Sequence, residues 1–501
     1  MLDFVPTSEQ QNVISEVESG TPYIVINALA GTGKTTLLEM IASRLLSRRI
    51  LYLAYNYAVK EEAIRRFPSS NTKVHTTHSL AYAYIKKHSP KSLMSVKDYR
   101  AGEVAEIFNI PVDTAKKVLY RFENFCNSAW KLHRGAKSKE DELSMRLFAK
   151  MTEGEIPATH SFYVKLFQLF LESGKISSVE TDILMLDEYQ DTNEVTQAIF
   201  HAISAPQKIY VGDKHQQIYG FRGAKNAMKK ETDAKVFYLT ETFRFSSEVA
   251  EMPNALLGTI KGESHLIKSK VRVKSVSTED TYCYISRTNS ALIAEMDRLH
   301  SRKKRFLTAR SPWEIFKTSI DIYNLLSGRK DEVGNKFLLR FKSEDSLEKY
   351  IEQGGDAELK TGLKHAREHG SKLATLRSIA LRYYDSPAEE KRKIKNFVAT
   401  AHSSKGLEWD YVEIAHDFPD FGKLIATETD CRDVAQVRET IESLPVSVVD
   451  EFNLFYVALT RGKKQVTVRS ENAKYLESPK ALDTQIYFAR QKALEKSTKR
   501  G

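Results

Sequence analysis

Cysteine is scarce in this 501-residue chain: Cys126, Cys283 and Cys431 stand far apart. That spacing excludes a disulfide framework and a paired-cysteine metal site, and it fits a reducing compartment. No apolar run approaches the ~20 residues that cross a bilayer. The start, "MLDFVPTSEQQ", has neither a basic region nor an apolar stretch, so it does not read as a secretory leader. A cytoplasmic chain without membrane association is the expectation. Short-period repeats are absent, and low complexity is confined to the last few residues. Acidic residues are outnumbered, 65 against 76 Lys and Arg, for a net charge of +11. An excess of that sign suits a polyanionic partner. The basic runs "RKKR" (302–305), "KRKIK" (391–395) and "KSTKR" (496–500) each read alone as solvated surface. The excess over the whole chain is the better signal.

What is present begins with a phosphate loop. Residues 28–36 read "ALAGTGKTT", one residue short of G-x-x-x-x-G-K-[ST], because Ala28 fills the first glycine slot. Before it "YIVIN" reads as a buried strand, and after it "KTTLLEMIASRLL" carries apolar residues at helical spacing. Strand, loop and helix in that order are the context the motif requires. Gly31 and Gly33 allow close backbone approach. Ala30, Gly31, Thr32, Gly33, Lys34, Thr35 and Thr36 are the candidates for holding a nucleotide. Lys34 would reach the β- and γ-phosphates, and Thr35 would ligate Mg²⁺. Downstream, "ILMLDEYQDTN" (183–193) puts two carboxylates after four apolar strand residues. In an open parallel sheet the ligand crevice lies at that end. Asp187 would serve Mg²⁺, and Glu188 would orient and deprotonate an attacking water.

Strand-like runs alternate with helical patterns in two clusters, within about 1–240 and about 280–470, which argues α/β with parallel sheets. Each cluster is interrupted by a helical, strand-poor stretch. The expected organisation is a first core over 1–89 and 171–240 with a helical insertion over 90–170. A second core over 241–327 and 396–485 carries a shorter helical insertion over 328–395. A basic polar tail over 486–501 closes the chain.

The ordered motifs resemble superfamily 1 DNA helicases of the UvrD/Rep/PcrA type, most nearly their F-box DNA helicase branch. "TSEQQ" resembles the Q motif, "LAYNYAVKEEA" motif Ia, "TTHS" the next strand-contacting motif and "LDEYQDT" motif II. "VGDKHQQIYGFRGA" resembles motif III, "LTETFRFS" motif IV, "ISRTNS" the variant after it, "TAHSSKGLEWDYV" motif V, and "EFNLFYVALTRGKK" motif VI. The resemblance spans Ser8 to about Arg461, outside the insertions. It implies two RecA-like P-loop NTPase cores, each with a mainly helical insertion. It implies an ATP- and Mg²⁺-dependent translocase and helicase moving 3′→5′ on single-stranded DNA, with tailed or forked duplex as substrate. Gln10 would read adenine, Phe243 would stack on it and Glu408 would bond the ribose. Arg244 and Arg461 would be arginine fingers, and Gln216 would link γ-phosphate to DNA. Asn56, Thr76, His78, Tyr219, Phe221, Arg222, Thr400 and His402 would contact the strand.

Four positions depart from the family pattern: Ala28, Thr36 in place of an adenine-stacking arginine, Phe221 in place of tryptophan, and Ala54 in place of an aromatic. The alternatives are a DNA-stimulated ATPase that remodels protein–DNA complexes, or a helicase-like subunit of a nuclease or antiviral defence complex; a protein partner in a repair, replication or defence complex is a further expectation. "HTTH" (75–78) lacks the glutamate of a zinc motif, and no "LSGGQ" of a transporter ATPase occurs.

Overall fold

The computed structural model describes residues 5–131, 138–176, 179–218, 233–272, 275–354 and 357–498. They form two compact units, Met1–Phe243 and Arg244–Gly501.

The first unit is built on six strands: β1 (Tyr23–Ala28), β2 (Ile50–Ala54), β3 (Thr72–Thr76), β4 (Ile183–Leu186), β5 (Gln207–Gly212) and β6 (Lys235–Leu239). Their order is β3-β2-β4-β5-β1-β6, and every pairing is parallel. Strands β2, β4 and β5 are buried along their whole length, which is why they read as unbroken apolar runs. Successive residues serve different cores. Ile24, Ile26, Ile183, Met185, Ile209 and Val211 pack with the helices Ser8–Glu18 and Lys34–Arg44. Val25, Leu184, Leu186 and Tyr210 face the opposite core, which continues without a break into Val118, Phe122, Leu147, Phe162 and Phe167. Those residues lie on the helices Val112–Asn127, Lys139–Glu153 and His160–Glu172, between β3 and β4. The first insertion therefore shares its core with one face of the sheet.

The chain leaves this unit along β7 (Glu241–Ser246), which pairs with β8 (Lys268–Val271) in a two-stranded sheet. The second unit has β9 (Tyr282–Ser286), β10 (Phe306–Thr308), β11 (Asn396–Thr400), β12 (Trp409–Ile414) and β13 (Gly462–Val468). They run parallel in the order β10-β11-β9-β12-β13. Between β10 and β11 the chain is helical. The helices Glu344–Gly354 and Ala357–His369 close a small core of their own, with Leu347, Ile351, Leu359 and Leu363 against Ile322 and Leu325.

One expectation is corrected here. Residues 486–498 are no polar tail but part of a helix, Pro479–Thr498. Leu482 and Ile486 are fully buried, one turn apart. The Arg490 guanidinium donates from Nη2 to the carbonyls of Thr429 (2.6 Å) and Cys431 (2.9 Å). Within the stretch expected as tail the basic composition hid one apolar anchor, Ile486, a turn after Leu482 of the second core.

Candidate active site

The loop between β1 and the helix Lys34–Arg44 meets the demands of a phosphate cradle in its backbone. Ala28, in the first glycine slot, is still inside β1, paired with Leu239 and fully buried. Its φ is not positive, so glycine is not needed there. Positive φ falls instead at Gly31 (75°) and Gly33 (77°). Gly33 begins the helix, and no side chain caps it. Four consecutive carbonyls are tied back. Leu29 accepts from Thr32 Oγ1 (2.8 Å) and Ala30 from Thr242 Oγ1 (2.9 Å). Gly31 accepts from the Phe243 amide (2.9 Å) and Thr32 from Gln10 Nε2 (3.3 Å). With its carbonyls engaged behind, a loop turns N–H groups forward, as anion binding at a helix start requires.

The same bonds locate two of the expected adenine contacts. Gln10 is buried, its Oε1 accepting from the Thr7 amide (3.0 Å) in the capping box that starts Ser8–Glu18. In this structure it braces the loop. Phe243 is anchored to Gly31 by its backbone, yet the residue is 51 % exposed. Thr36 accepts from Arg66 Nη2 (2.9 Å), which also pairs with Glu39 (2.8 Å).

Across from the loop, β4 delivers its two carboxylates. Asp187 is 2 % exposed. Its Oδ2 accepts from Tyr52 Oη (2.7 Å) and Thr35 Oγ1 (3.3 Å), and its Oδ1 from the Glu188 amide (2.8 Å). Burial, and next the charge of Glu188, hold the Asp187 carboxyl above its ordinary range, against the pull of Lys34 and Tyr52. Burial and Asp187 likewise push the Tyr52 phenol well up, so it stays a donor. Lys34 Nζ lies 3.4 Å from Glu188 Oε1. Glu188 itself sits in the left-handed region, φ 52°, one of three non-glycine residues with positive φ among those described. That turn swings its side chain back toward the loop lysine. From β5, Asp213 accepts from Gln216 Nε2 (2.6 Å) and the His215 amide (3.0 Å), so Gln216 is buried beside the carboxylates' strand. Lys34, Thr35, Asp187, Glu188 and Gln216 thus share the C-terminal edge of one sheet.

In the second unit, Arg244, Glu408 and Arg461 come together. Arg244 Nε lies 2.9 Å from Glu408 Oε2, and its Nη1 donates to the Thr460 carbonyl (3.3 Å). Arg461 is 1 % exposed. Its guanidinium donates to the carbonyls of Val457 (2.8 Å) and Leu407 (3.3 Å) and to Thr460 Oγ1 (2.9 Å).

Residues 7–236 match the UvrD/REP helicase N-terminal domain, and residues 132–472 match the UvrD-like helicase C-terminal domain, the second alone taking in more than half of the chain. The chain belongs to the UvrD-like helicase family. It is 28% identical to F-box DNA helicase protein 1 of Schizosaccharomyces pombe over 92% of this chain and 57% of that protein. It is 26% identical to F-box DNA helicase 1 of Gallus gallus over 91% of this chain and 48% of that one. The chain therefore spans about half the length of these curated relatives. A probable DNA helicase of Mycoplasma pneumoniae is 23% identical over 55% of this chain and 61% of its own.

Of the eight residues expected to contact the strand, three are helix starts. Asn56, Thr76 and Thr400 cap the helices Tyr57–Arg66, Thr77–His88 and Ala401–Ser404 at the C-terminal ends of β2, β3 and β11. His78 is exposed, with the Tyr163 ring edge-on at 6.1 Å, and His402 is half-buried. Tyr219, Phe221 and Arg222 lie outside the described residues. Sequence reasoning passed over Tyr52, Thr242 and Gln190. Tyr52 stood in a run that reads purely as core, though a buried phenol needs a partner. Gln190 stood inside a quoted motif without a role. No cluster of three or more metal-ligating His, Cys, Asp or Glu occurs among the described residues. None of their helices is long and apolar enough to cross a membrane.

Proposed function

We propose that this chain is an ATP-driven DNA helicase that moves along single-stranded DNA, 3′→5′, and separates tailed or forked duplex. The observation that carries the reading is the meeting of Lys34 with Glu188 and of Thr35 with Asp187, from two strands of one sheet. The loop's N–H groups and Lys34 bind the triphosphate. Thr35 and Asp187, a hydroxyl and a buried carboxylate, are oxygen donors that fit Mg²⁺. When bound, that ion neutralises charge on the phosphates. Glu188 accepts the proton of the attacking water. Arg244 and Arg461 are the arginine fingers, which counter charge on the transferring phosphoryl group. Gln10 and Phe243, both anchored to the loop, take the adenine, and Glu408 the ribose. Asn56, Thr76, His78, Tyr219, Phe221, Arg222, Thr400 and His402 line the strand path. The net charge of +11 suits a phosphate backbone and supports the polyanion half of the reading. Soluble surroundings, a cytoplasmic place and a protein partner in repair, replication or defence complete it.

The test is ATP hydrolysis measured with single-stranded DNA, duplex and RNA side by side, followed by unwinding of 3′- and 5′-tailed duplexes. Strong stimulation by single strands and unwinding from the 3′ tail are expected. An ATPase indifferent to all three nucleic acids would sink the reading.

A further inference from the structure

Gln190 is fully buried, follows Glu188 by two positions, and bridges two strand ends. Its Oε1 accepts from the Asp213 amide at 3.0 Å. A backbone N–H can only donate, so that end of the side chain is the oxygen. The Nε2 end then faces Glu188 Oε2 at 2.5 Å and donates to it. Glu188 is thereby held at both oxygens, by Lys34 on one and Gln190 on the other. On the far side the tie continues, because Asp213 holds Gln216 and the His215 amide through its carboxylate. Room for this bridge comes from Gly212, where a Cβ would lie 2.2 Å from Gln190 Oε1. Any side chain at 212 would displace the amide.

We propose that Gln190 is a positioning residue that fastens Glu188 to the Asp213–Gln216 turn, so that the water-activating carboxylate and this turn move as one body. The proposal rests on the nucleotide-site reading above and deepens it. A residue that only fills the core would influence folding alone. A rigid link sets turnover after the nucleotide is bound, and makes turnover answer to whatever moves the turn. The turn leads into the stretch expected to meet the strand, so DNA dependence is the sensitive readout.

The measurement is steady-state ATP hydrolysis by the full chain, with and without an unstructured deoxythymidine oligonucleotide. Gln190→Met keeps side-chain length and removes the hydrogen bonds to Glu188, Asp191 and Asp213. It is expected to lower the DNA-saturated kcat at least about tenfold, a fraction of what general-base catalysis contributes. KM for ATP should stay within about twofold, because the lost interaction acts in turnover rather than in binding. The factor by which DNA stimulates hydrolysis should fall as well. Gln190→Glu keeps the acceptor for Asp213 and sets a carboxylate against Glu188 in place of the donor, so its readout is the DNA stimulation factor, which a purely local charge leaves unmoved. It should lose kcat and stimulation with KM unmoved, and it decides the matter if the methionine variant does not fold. A kcat near the wild-type value in either variant overturns the proposal. So does a joint change of kcat and KM with a lowered melting temperature. A reduced kcat with the DNA stimulation factor intact in either variant overturns the link to the turn. Lys34→Ala in the same assay separates the two failures. Hydrolysis surviving Lys34→Ala sinks the nucleotide-site reading itself. Hydrolysis lost in Lys34→Ala but normal in Gln190→Met sinks only the role given to Gln190.

Discussion

The two parallel sheets put their charged chemistry at opposite edges. In the first unit, Lys34, Thr35, Asp187 and Glu188 stand where β1 and β4 end and helices begin. In the second, Glu408 and Arg461 stand just before β12 and β13, at the edge where those strands start. The difference follows from what each edge offers. Helix starts offer N–H groups and favour anions. The edge where strands start receives helix ends, which offer carbonyls and favour cations. Arg461 follows the helix Val446–Leu459 and is bonded by the carbonyl of Val457, in its last turn. Arg244 is bonded by the carbonyl of Thr460, directly after it. One topology thus yields a phosphate-loop and carboxylate cluster at one edge and an arginine cluster at the other.

That contrast can be broken from either side. Lys34→Ala should abolish hydrolysis, and Glu188→Gln should keep nucleotide binding while stopping turnover, as read from rates and a nucleotide-binding titration. Near-normal turnover by Glu188→Gln would remove the role assigned to it. On the other edge, Arg461→Ala should slow hydrolysis by about 10³–10⁵, the range that arginine fingers supply in phosphoryl transfer. Its affinity for single strands without nucleotide should stay near normal. Equal losses of hydrolysis and DNA binding would make Arg461 a structural anchor, as its three internal hydrogen bonds allow.

Smaller changes sharpen the comparison. Tyr52→Phe removes one donor to the buried Asp187 and should cost about 1–3 kcal/mol of stability by denaturant titration. Its effect on nucleotide-free DNA affinity should be nil. An unchanged unfolding midpoint would show that the phenol is dispensable. Ala28→Gly restores the loop consensus at a position that does not use glycine's freedom. It should leave hydrolysis unchanged and destabilise the unit by roughly 0.5–1 kcal/mol, the cost of glycine in a strand. Faster hydrolysis in this variant would mean that the methyl obstructs the loop.

Central strands were legible in the sequence because they are buried on both faces, as "ILMLDE" and "KIYVGD" are. The edge strands β6 ("KVFYL") and β13 ("QVTV") were legible as well. β3 ("TKVHT"), with a single apolar residue, and β10 ("FLT"), of three residues, carry no run to read, because each pairs on one side only. The P-loop and acid pair could be assigned because consecutive residues carry them. Tyr52 and Asp187 lie in separate segments joined only by the register of β2 against β4, which no local pattern encodes. The DNA-side candidates Asn56, Thr76 and Thr400 look like polar loop residues in the sequence. Their oxygens are in fact engaged in helix caps, a role that spacing alone does not separate from strand contact.

The shared core of the first insertion also bears on how the chain folds. Leu51 pairs with Leu184, and Tyr23 with Lys208, so the sheet's centre joins residues made far apart in time. At about 5–20 residues per second, a ribosome needs several seconds to cover the gap between β2 and β4. Until then β2 has only β3 beside it and β1 has no partner strand, and one of their faces can be covered only by the helix Thr77–His88 and the helices of the insertion. The insertion is expected to cover that face during synthesis, before the sheet is complete, and its deletion should lower the yield of folded chain in a refolding or co-translational assay. High contact order of this kind makes for slow folding, with exposed strand edges as the hazard.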